Sequence, residues 1–156
     1  MRKPVGVSVA LLLVLGGVGC GGDDAGEADA VPQVEAEGMA VGAATGELGR
    51  VVDHFRSSGL DVTDVHAKSY EVVGASNGVG VEVGGGIVEL YLFDPATADP
   101  AALANLQSAR SNGIWDAGGG FQMPALVNEN ILLLGLQMGQ WEHPQRSRIE
   151  EVFRAF

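Results

Sequence analysis

The run Ile131-Leu132-Leu133-Leu134-Gly135-Leu136 restricts the fold more than any other segment of this 156-residue chain. A short aliphatic run of this kind predicts a strand, and this strand does not alternate between apolar and polar residues. A strand with one solvated face alternates, whereas a strand that is covered on both faces is apolar throughout. We therefore expect helices on both sides of the sheet, with cover of one face by a second molecule as the alternative.

Alternation and turn residues predict the rest of the sheet. The Gly84-Gly85-Gly86 turn joins two expected strands into a hairpin, and Asn128-Glu129-Asn130 is expected to join two more. The predicted strands are 60–65, a further short one over 70–73, 79–83, 87–93, 121–127 and 131–137.

Three helices are predicted from apolar spacing and capping residues. The first covers 46–58 and stops at Gly59, and the last begins near Pro144. Asp99-Pro100 opens the middle helix as N-cap and first helical residue, and Asn112-Gly113 closes it. The order α-β(β)-ββ-α-ββ-α predicts an α+β fold with a mostly antiparallel sheet of about five strands and two to three helices.

The first twenty residues have the three zones of an export signal. Arg2 and Lys3 supply positive charge, residues 5–18 are apolar apart from Ser8 and the glycines, and Gly19-Cys20 supplies a small residue for cleavage. Roughly 14 apolar residues are fewer than the about 20 that a membrane-spanning helix needs. We expect a signal peptide over 1–19, with an uncleaved anchor helix as the alternative.

The sequence Gly16-Gly17-Val18-Gly19-Cys20 resembles the lipobox of bacterial lipoproteins, with Gly17 where leucine is usual. The resemblance implies that Cys20 becomes the first residue of the mature chain and carries acyl groups such as palmitate. Cys20 is the only cysteine, so it forms no internal disulfide, and lipidation explains an odd cysteine in an exported protein. Two or more acyl chains hold a protein stably on a bilayer. Gly21 in place of aspartate favours the outer membrane if the organism is Gram-negative.

Residues 20–45 are rich in glycine, alanine and acid, so we expect a flexible tether that spans about 25–30 Å. The seven acidic residues from Asp23 to Glu47 have no basic residue among them, and residues 48–156 carry 13 acidic and 7 basic residues. This charge excludes nucleic acid as a partner because it repels phosphates. Residues 46–156 are expected to form a single domain.

The pattern over about residues 48–156 is similar to that of small bacterial lipoproteins of uncharacterised function. In that group an amphipathic helix ends in Gly-Leu, a hairpin ends in an aromatic-acidic pair, and a helix, a Pro-containing strand and an apolar strand follow. The matching pieces here are 55–60, 91–94, Pro124 and 131–136. The resemblance implies an α+β fold and carries no activity.

Motifs for catalysis or metal binding do not stand out in the sequence. The chain has neither a Gly-x-Ser-x-Gly elbow nor a Ser-x-x-Lys motif, and no two histidines lie four residues apart. We interpret the three histidines as ordinary surface residues and expect no catalytic residue, metal or cofactor; they are His54, His66 and His143. Asp53, Asp61 and Asp64 do not match an EF-hand loop.

The glycines Gly78, Gly80 and Gly84 come close to a dinucleotide-binding fingerprint. That motif requires a helix after the glycines, and here they precede the strand at 87–93. A hairpin turn is therefore the preferred explanation.

Four aromatic residues form the candidate interaction surface: Trp115, Trp141, Tyr91 and Phe121. The tryptophans lie just outside apolar elements, where they either seal the edge of a core or form an exposed patch. The leading hypothesis is a non-enzymatic, membrane-tethered domain that recognises another envelope protein or a second copy of itself.

Two rival functions remain open. The first is binding of a small ligand in a pocket near Tyr91, Phe121 and Trp115. The second is a cell-envelope hydrolase that uses Glu82 and Glu89, which lie on facing strands of one hairpin.

Overall fold

A computed structural model describes residues 44–156, so the predictions for the leader, Cys20 and most of the tether lie outside the described residues. Three helices and nine strands follow one another along this part of the chain, with a 3₁₀ turn at Glu71–Val73. The helices are α1 (Gly46–Ser57), α2 (Pro100–Asn112) and α3 (Arg146–Arg154). The strands are β1 (Val62–Ala67), β2 (Asn77–Val83), β3 (Gly86–Leu92), β4 (Ile114–Asp116), β5 (Gln122–Pro124), β6 (Leu126–Asn128), β7 (Ile131–Leu134), β8 (Gln137–Met138) and β9 (Trp141–Glu142).

The main sheet has five strands in the order β1-β2-β3-β7-β6, and every neighbouring pair is antiparallel. Two smaller sheets join β4 to β5 and β8 to β9. This arrangement confirms the predicted α+β class, the five-strand sheet and the order of the elements.

Strand β7 is buried on both faces, as its sequence predicts. Ile131 and Leu133 belong to a core formed with α1 and α3, while Leu132 and Leu134 belong to a second core formed with α2. None of the four is more than 2% exposed. The chain itself therefore covers both faces, and no second molecule is required to bury this strand.

Local sequence signals explain where α1 ends and where α2 begins. Gly59 adopts a left-handed φ of 81°, and the amide of Leu60 donates to the carbonyl of Phe55, which closes α1 in a Schellman arrangement. Asp99 caps α2 because its Oδ1 accepts from the amide of Ala101 at 2.7 Å. Both boundaries agree with the predicted ones.

The structure corrects three strand predictions. Residues 71–73 form a 3₁₀ turn instead of a short strand. The predicted strand 121–127 is divided at Ala125 into β5, which pairs with β4, and β6, which joins the main sheet. The predicted strand 131–137 ends at Leu134 because Gly135 takes a φ of 89°.

The main sheet has two edge strands, β1 and β6, which differ in length and regularity. Strand β1 contains a register shift between Val62 and Asp64, which marks a bulge, and its side chains are mostly exposed. Strand β6 at the opposite edge is only three residues long.

No helix in 44–156 combines the length and apolarity needed to cross a bilayer.

Candidate functional site

The main sheet has two faces, and α2 packs against one of them. On that face, strands β1, β2 and β3 carry polar residues. The register places Asp64 beside Glu82, and it aligns His66, Gly80 and Glu89 across the three strands. Partners in an antiparallel ladder point to the same face, so these side chains share one side of the sheet. We call this group, together with Lys68, the polar face.

Two glycines on β2 let aromatic rings lie against the sheet within the polar face. A Cβ on Gly80 would collide with the ring of His66, and one on Gly78 would lie 3.0 Å from the ring of Tyr91. Both rings belong to direct cross-strand partners of these glycines. Gly78 and Gly80 thus leave room for the rings of neighbouring side chains, and they lie within a strand, not in a nucleotide-binding loop.

The carboxylate of Glu89 is held on both oxygens. Lys68 Nζ lies 2.5 Å from Oε1, and the hydroxyl of Tyr91 donates to Oε2 at 2.8 Å. Glu82 accepts from the hydroxyl of Thr63 at 3.1 Å. The two predicted hydrolase carboxylates lie on the same face at diagonal positions of the β2–β3 hairpin, and each is in contact with a neighbouring polar side chain.

Tyr91 lies at the border between the polar face and the second core. Its side chain is 2% exposed, and burial raises the pKa of its hydroxyl, helped by the hydrogen bond to the Glu89 carboxylate and by the negative charge of that group. The phenol therefore remains a proton donor to Glu89 at neutral pH. This pair contributes to the structure of the sheet.

The four aromatic residues of the predicted interaction surface do not share one environment. Trp115 and Tyr91 are each 2% exposed and pack in the second core, where Trp115 lies 5.6 Å from Phe93 between ring centres. Both are corrections, because a buried side chain cannot form a surface patch. Phe121 and Trp141 are 62% and 43% exposed.

Met138 is a further exposed apolar residue in this region, and sequence reasoning did not foresee it. It is 64% exposed and lies directly opposite Trp141 in the short β8–β9 hairpin. Strand β8 contacts β5, and Phe121 immediately precedes β5. We call Phe121, Met138 and Trp141 the aromatic surface. Alternation across the turn at Gly139-Gln140 is the sequence signal that pairs Met138 with Trp141.

His143 differs most from its prediction as a surface residue. It is 2% exposed, and its ring lies 5.8 Å from that of Trp141, edge to face. Desolvation lowers the pKa of this histidine below its ordinary 6.5, against the opposing effect of the backbone carbonyls of Gly86 and Val83. The other two histidines also make contacts: His66 pairs with Asp64 at 3.1 Å, and His54 lies 3.2 Å from the carbonyl oxygen of Val152.

The cavities do not match the predicted ligand pocket near Tyr91, Phe121 and Trp115. One cleft of about 180 Å³ lies between α3 and the strands around Ala125, with Arg146, Glu150 and Arg154 along its rim. Ligand sites usually measure about 300–1,000 Å³, so this cleft is small for a metabolite. An open depression of about 330 Å³ is formed almost entirely by residues 142–148 at the start of α3.

No group of three metal-ligating side chains comes together in the described part of the chain. No protein-family model, curated protein or solved structure matches the sequence.

Proposed function

We propose that this chain is a lipid-anchored protein of the bacterial envelope whose domain binds another envelope protein through the aromatic surface, without catalysing a reaction. Cys20 holds the mature chain on the membrane, and residues 20–45 tether the domain to that anchor. The proposal for the anchor depends on the resemblance of residues 16–20 to a lipobox.

The exposed aromatic surface is the observation that carries the binding part of this proposal. The segments that bear its side chains, 117–124 and 137–141, contain no charged residue. Centres of protein interfaces are enriched in tryptophan, phenylalanine and methionine and depleted of lysine, glutamate and aspartate. The aromatic surface has this composition.

The rival functions have less support from the geometry. The cleft beside α3 is smaller than usual ligand sites, and Arg146 on its rim is already bonded to Glu150 at 2.7 Å. The depression of about 330 Å³ reaches the usual size, but it is open and its lining is polar or charged apart from Pro144, whereas ligand pockets are mostly apolar. The two cavities described above are lined by neither Glu82 nor Glu89, the carboxylates of the hydrolase hypothesis. Strand β7 no longer argues for a partner, since the chain itself buries it.

Site-specific crosslinking in cells tests the proposal. A photoreactive amino acid in place of Trp141 should form a discrete adduct with one envelope protein. The same amino acid in place of Val72, which is 81% exposed on the 3₁₀ turn, is the matched control and should not form that adduct. Equal crosslinking from the two positions, or none from Trp141, would contradict the proposal.

Serine substitutions then test whether the surface supplies binding energy. Met138→Ser with Trp141→Ser should weaken binding of the purified crosslinked partner by at least about tenfold, since a buried aromatic anchor contributes 2 kcal/mol or more. Val72→Ser should leave the affinity unchanged. If the purified chain instead forms a dimer that the double substitution dissociates, the partner is a second copy.

A further inference from the structure

His143 is fixed in a recess that glycines create at the turn between β2 and β3. A Cβ on Gly86 would lie 2.5 Å from Nε2 of His143, and one on Gly84 would collide with the side-chain amide of Gln145. The absence of side chains at Gly84 and Gly86 therefore lets residues 143–145 sit directly against this turn. We call residues 143–145 the docked segment.

The backbone of the docked segment connects two neighbouring elements. The amide of His143 donates to the carbonyl of Leu136 at 2.9 Å, which closes the β8–β9 hairpin. The carbonyl of His143 accepts from the amide of Arg146 at 3.0 Å, at the first residue of α3. The backbone of His143 therefore ties the hairpin that carries Met138 and Trp141 to the start of α3, in addition to the contact of β8 with β5 and the bond from Arg146 to Gln137.

The one hydrogen bond of the ring requires Nδ1 to carry no proton, as in the neutral imidazole. Nδ1 accepts from the amide of Gln145 at 3.1 Å, so a proton on Nδ1 would face another donor. The neutral ring carries its proton on Nε2, which lies toward the carbonyls of Val83 and Gly86 without meeting either in normal hydrogen-bond geometry. A second proton would remove the bond to Gln145 and leave a buried charge without a partner.

The charged groups around His143 do not compensate an imidazolium. Glu142 is exposed and lies 3.7 Å from Arg146, and Arg148 is bonded to Glu151. On the side of the β2–β3 turn, the backbone of Asp61 bonds Gly84, and the carboxylate of Glu82 accepts from Thr63. None of these carboxylates forms a hydrogen bond to the ring.

We propose that His143 is an acid-sensitive latch: the neutral ring holds the docked segment against the glycine turn, and protonation releases that segment together with the β8–β9 hairpin. Its role in partner binding rests on the proposed function, because the hairpin carries two of the three side chains of the aromatic surface. Acidification would then disassemble that surface. The latch itself can be measured without a partner.

Hydrogen exchange by mass spectrometry on the full chain in detergent tests the latch. Exchange at the imidazole carbon between the two ring nitrogens reports the pKa of His143, and the same carbon in the urea-unfolded chain gives the reference value. His143 should titrate at a lower pH in the folded chain than in the unfolded one. As the pH falls from the pKa of the released histidine to that of the docked one, protection of the Gln145 amide should decrease about tenfold for each pH unit. The exchange rates are first corrected for the chemical effect of pH.

Two alanine substitutions separate the latch from general destabilisation. Gly86→Ala places a methyl group against the docked ring, and because Gly86 is not in the left-handed region, the backbone itself accepts alanine. This variant should lose protection at Gln145 at neutral pH. Gly80→Ala makes the same kind of collision with exposed His66 and should leave Gln145 protected.

Two results would overturn the latch. They are a midpoint for His143 in the folded chain at or above its midpoint in the unfolded chain, and protection at Gln145 that stays constant through the titration of His143. Neither measurement uses the partner, so failure of the latch leaves the crosslinking result at Trp141 intact, and failure of the crosslinking leaves the latch intact.

Discussion

Alanine at Leu132 or at Leu133 tests whether β7 is buried on both faces. The two side chains are each 0% exposed and point into different cores, Leu132 toward α2 and Leu133 toward α1 and α3. Each substitution removes three buried carbon atoms, worth about 2.4 kcal/mol at roughly 0.8 kcal/mol for each. The cavity left behind adds to this loss, so we expect each variant to lose about 3 kcal/mol, within a usual range of about 2–5 kcal/mol.

Urea unfolding of the purified chain measures both losses through the midpoint, provided that the slope of the transition is unchanged. Ile87→Ala is the matched control, because Ile87 lies on the same face of the sheet as Leu132 but is 48% exposed. Its three removed carbons are about half buried, so the loss should be about 1 kcal/mol, well below that of the two leucines. If Leu132→Ala lost less than about 1 kcal/mol of free energy of unfolding while Leu133→Ala lost about 3 kcal/mol, α2 would not cover the face on which Leu132 lies.

Four further substitutions give separate tests. Asp99→Ala removes the cap of α2 and should lower the free energy of unfolding by about 1 kcal/mol in the same urea assay. Gly135→Ala should lower it by about 1–3 kcal/mol, because φ is 89° and the added Cβ would lie 2.8 Å from the carbonyl oxygen of Ile87. The contribution of His143 to the free energy of unfolding should be level above about pH 6.5 and decrease as the pH falls toward the lowered pKa of the folded chain, because the unfolded chain takes up the proton first. His143→Phe should remove this part of the pH dependence in urea titrations at several pH values. Cys20→Ala should move the chain from the membrane fraction to the supernatant on cell fractionation, and retention on the membrane would contradict lipidation of Cys20.

Sequence patterns predicted the framework of the fold because they depend on local chemistry and on the burial of whole faces. The unbroken apolar run of β7 predicted cover on both sides, which the two cores provide. Asp99-Pro100 and the Gly84-Gly85-Gly86 turn predicted the start of α2 and the β2–β3 hairpin. Each of these signals comes from a residue type with a strict preference: leucine avoids water, proline fixes φ, and glycine accepts a left-handed φ.

Short strands and individual side chains could not be assigned in this way. Strands β4 and β5 are three residues each, too short for alternation to appear, and their pairing depends on contacts formed only in the folded chain. Trp115 is buried and Trp141 is exposed although each lies next to an apolar element. Burial of His143 depends on the space above Gly86, which is distant in the sequence.

The edges of the main sheet bear on how this chain can associate with others. An open edge strand can recruit an extended segment from another molecule through its unpaired backbone groups, which leads to strand exchange or fibril growth. The bulge in β1 and the ionisable side chains of Asp64 and His66 make that edge an irregular template, and β6 is too short to be a good one. Recognition at the aromatic surface would therefore proceed through side chains, which permits crowding of many copies without joining their sheets.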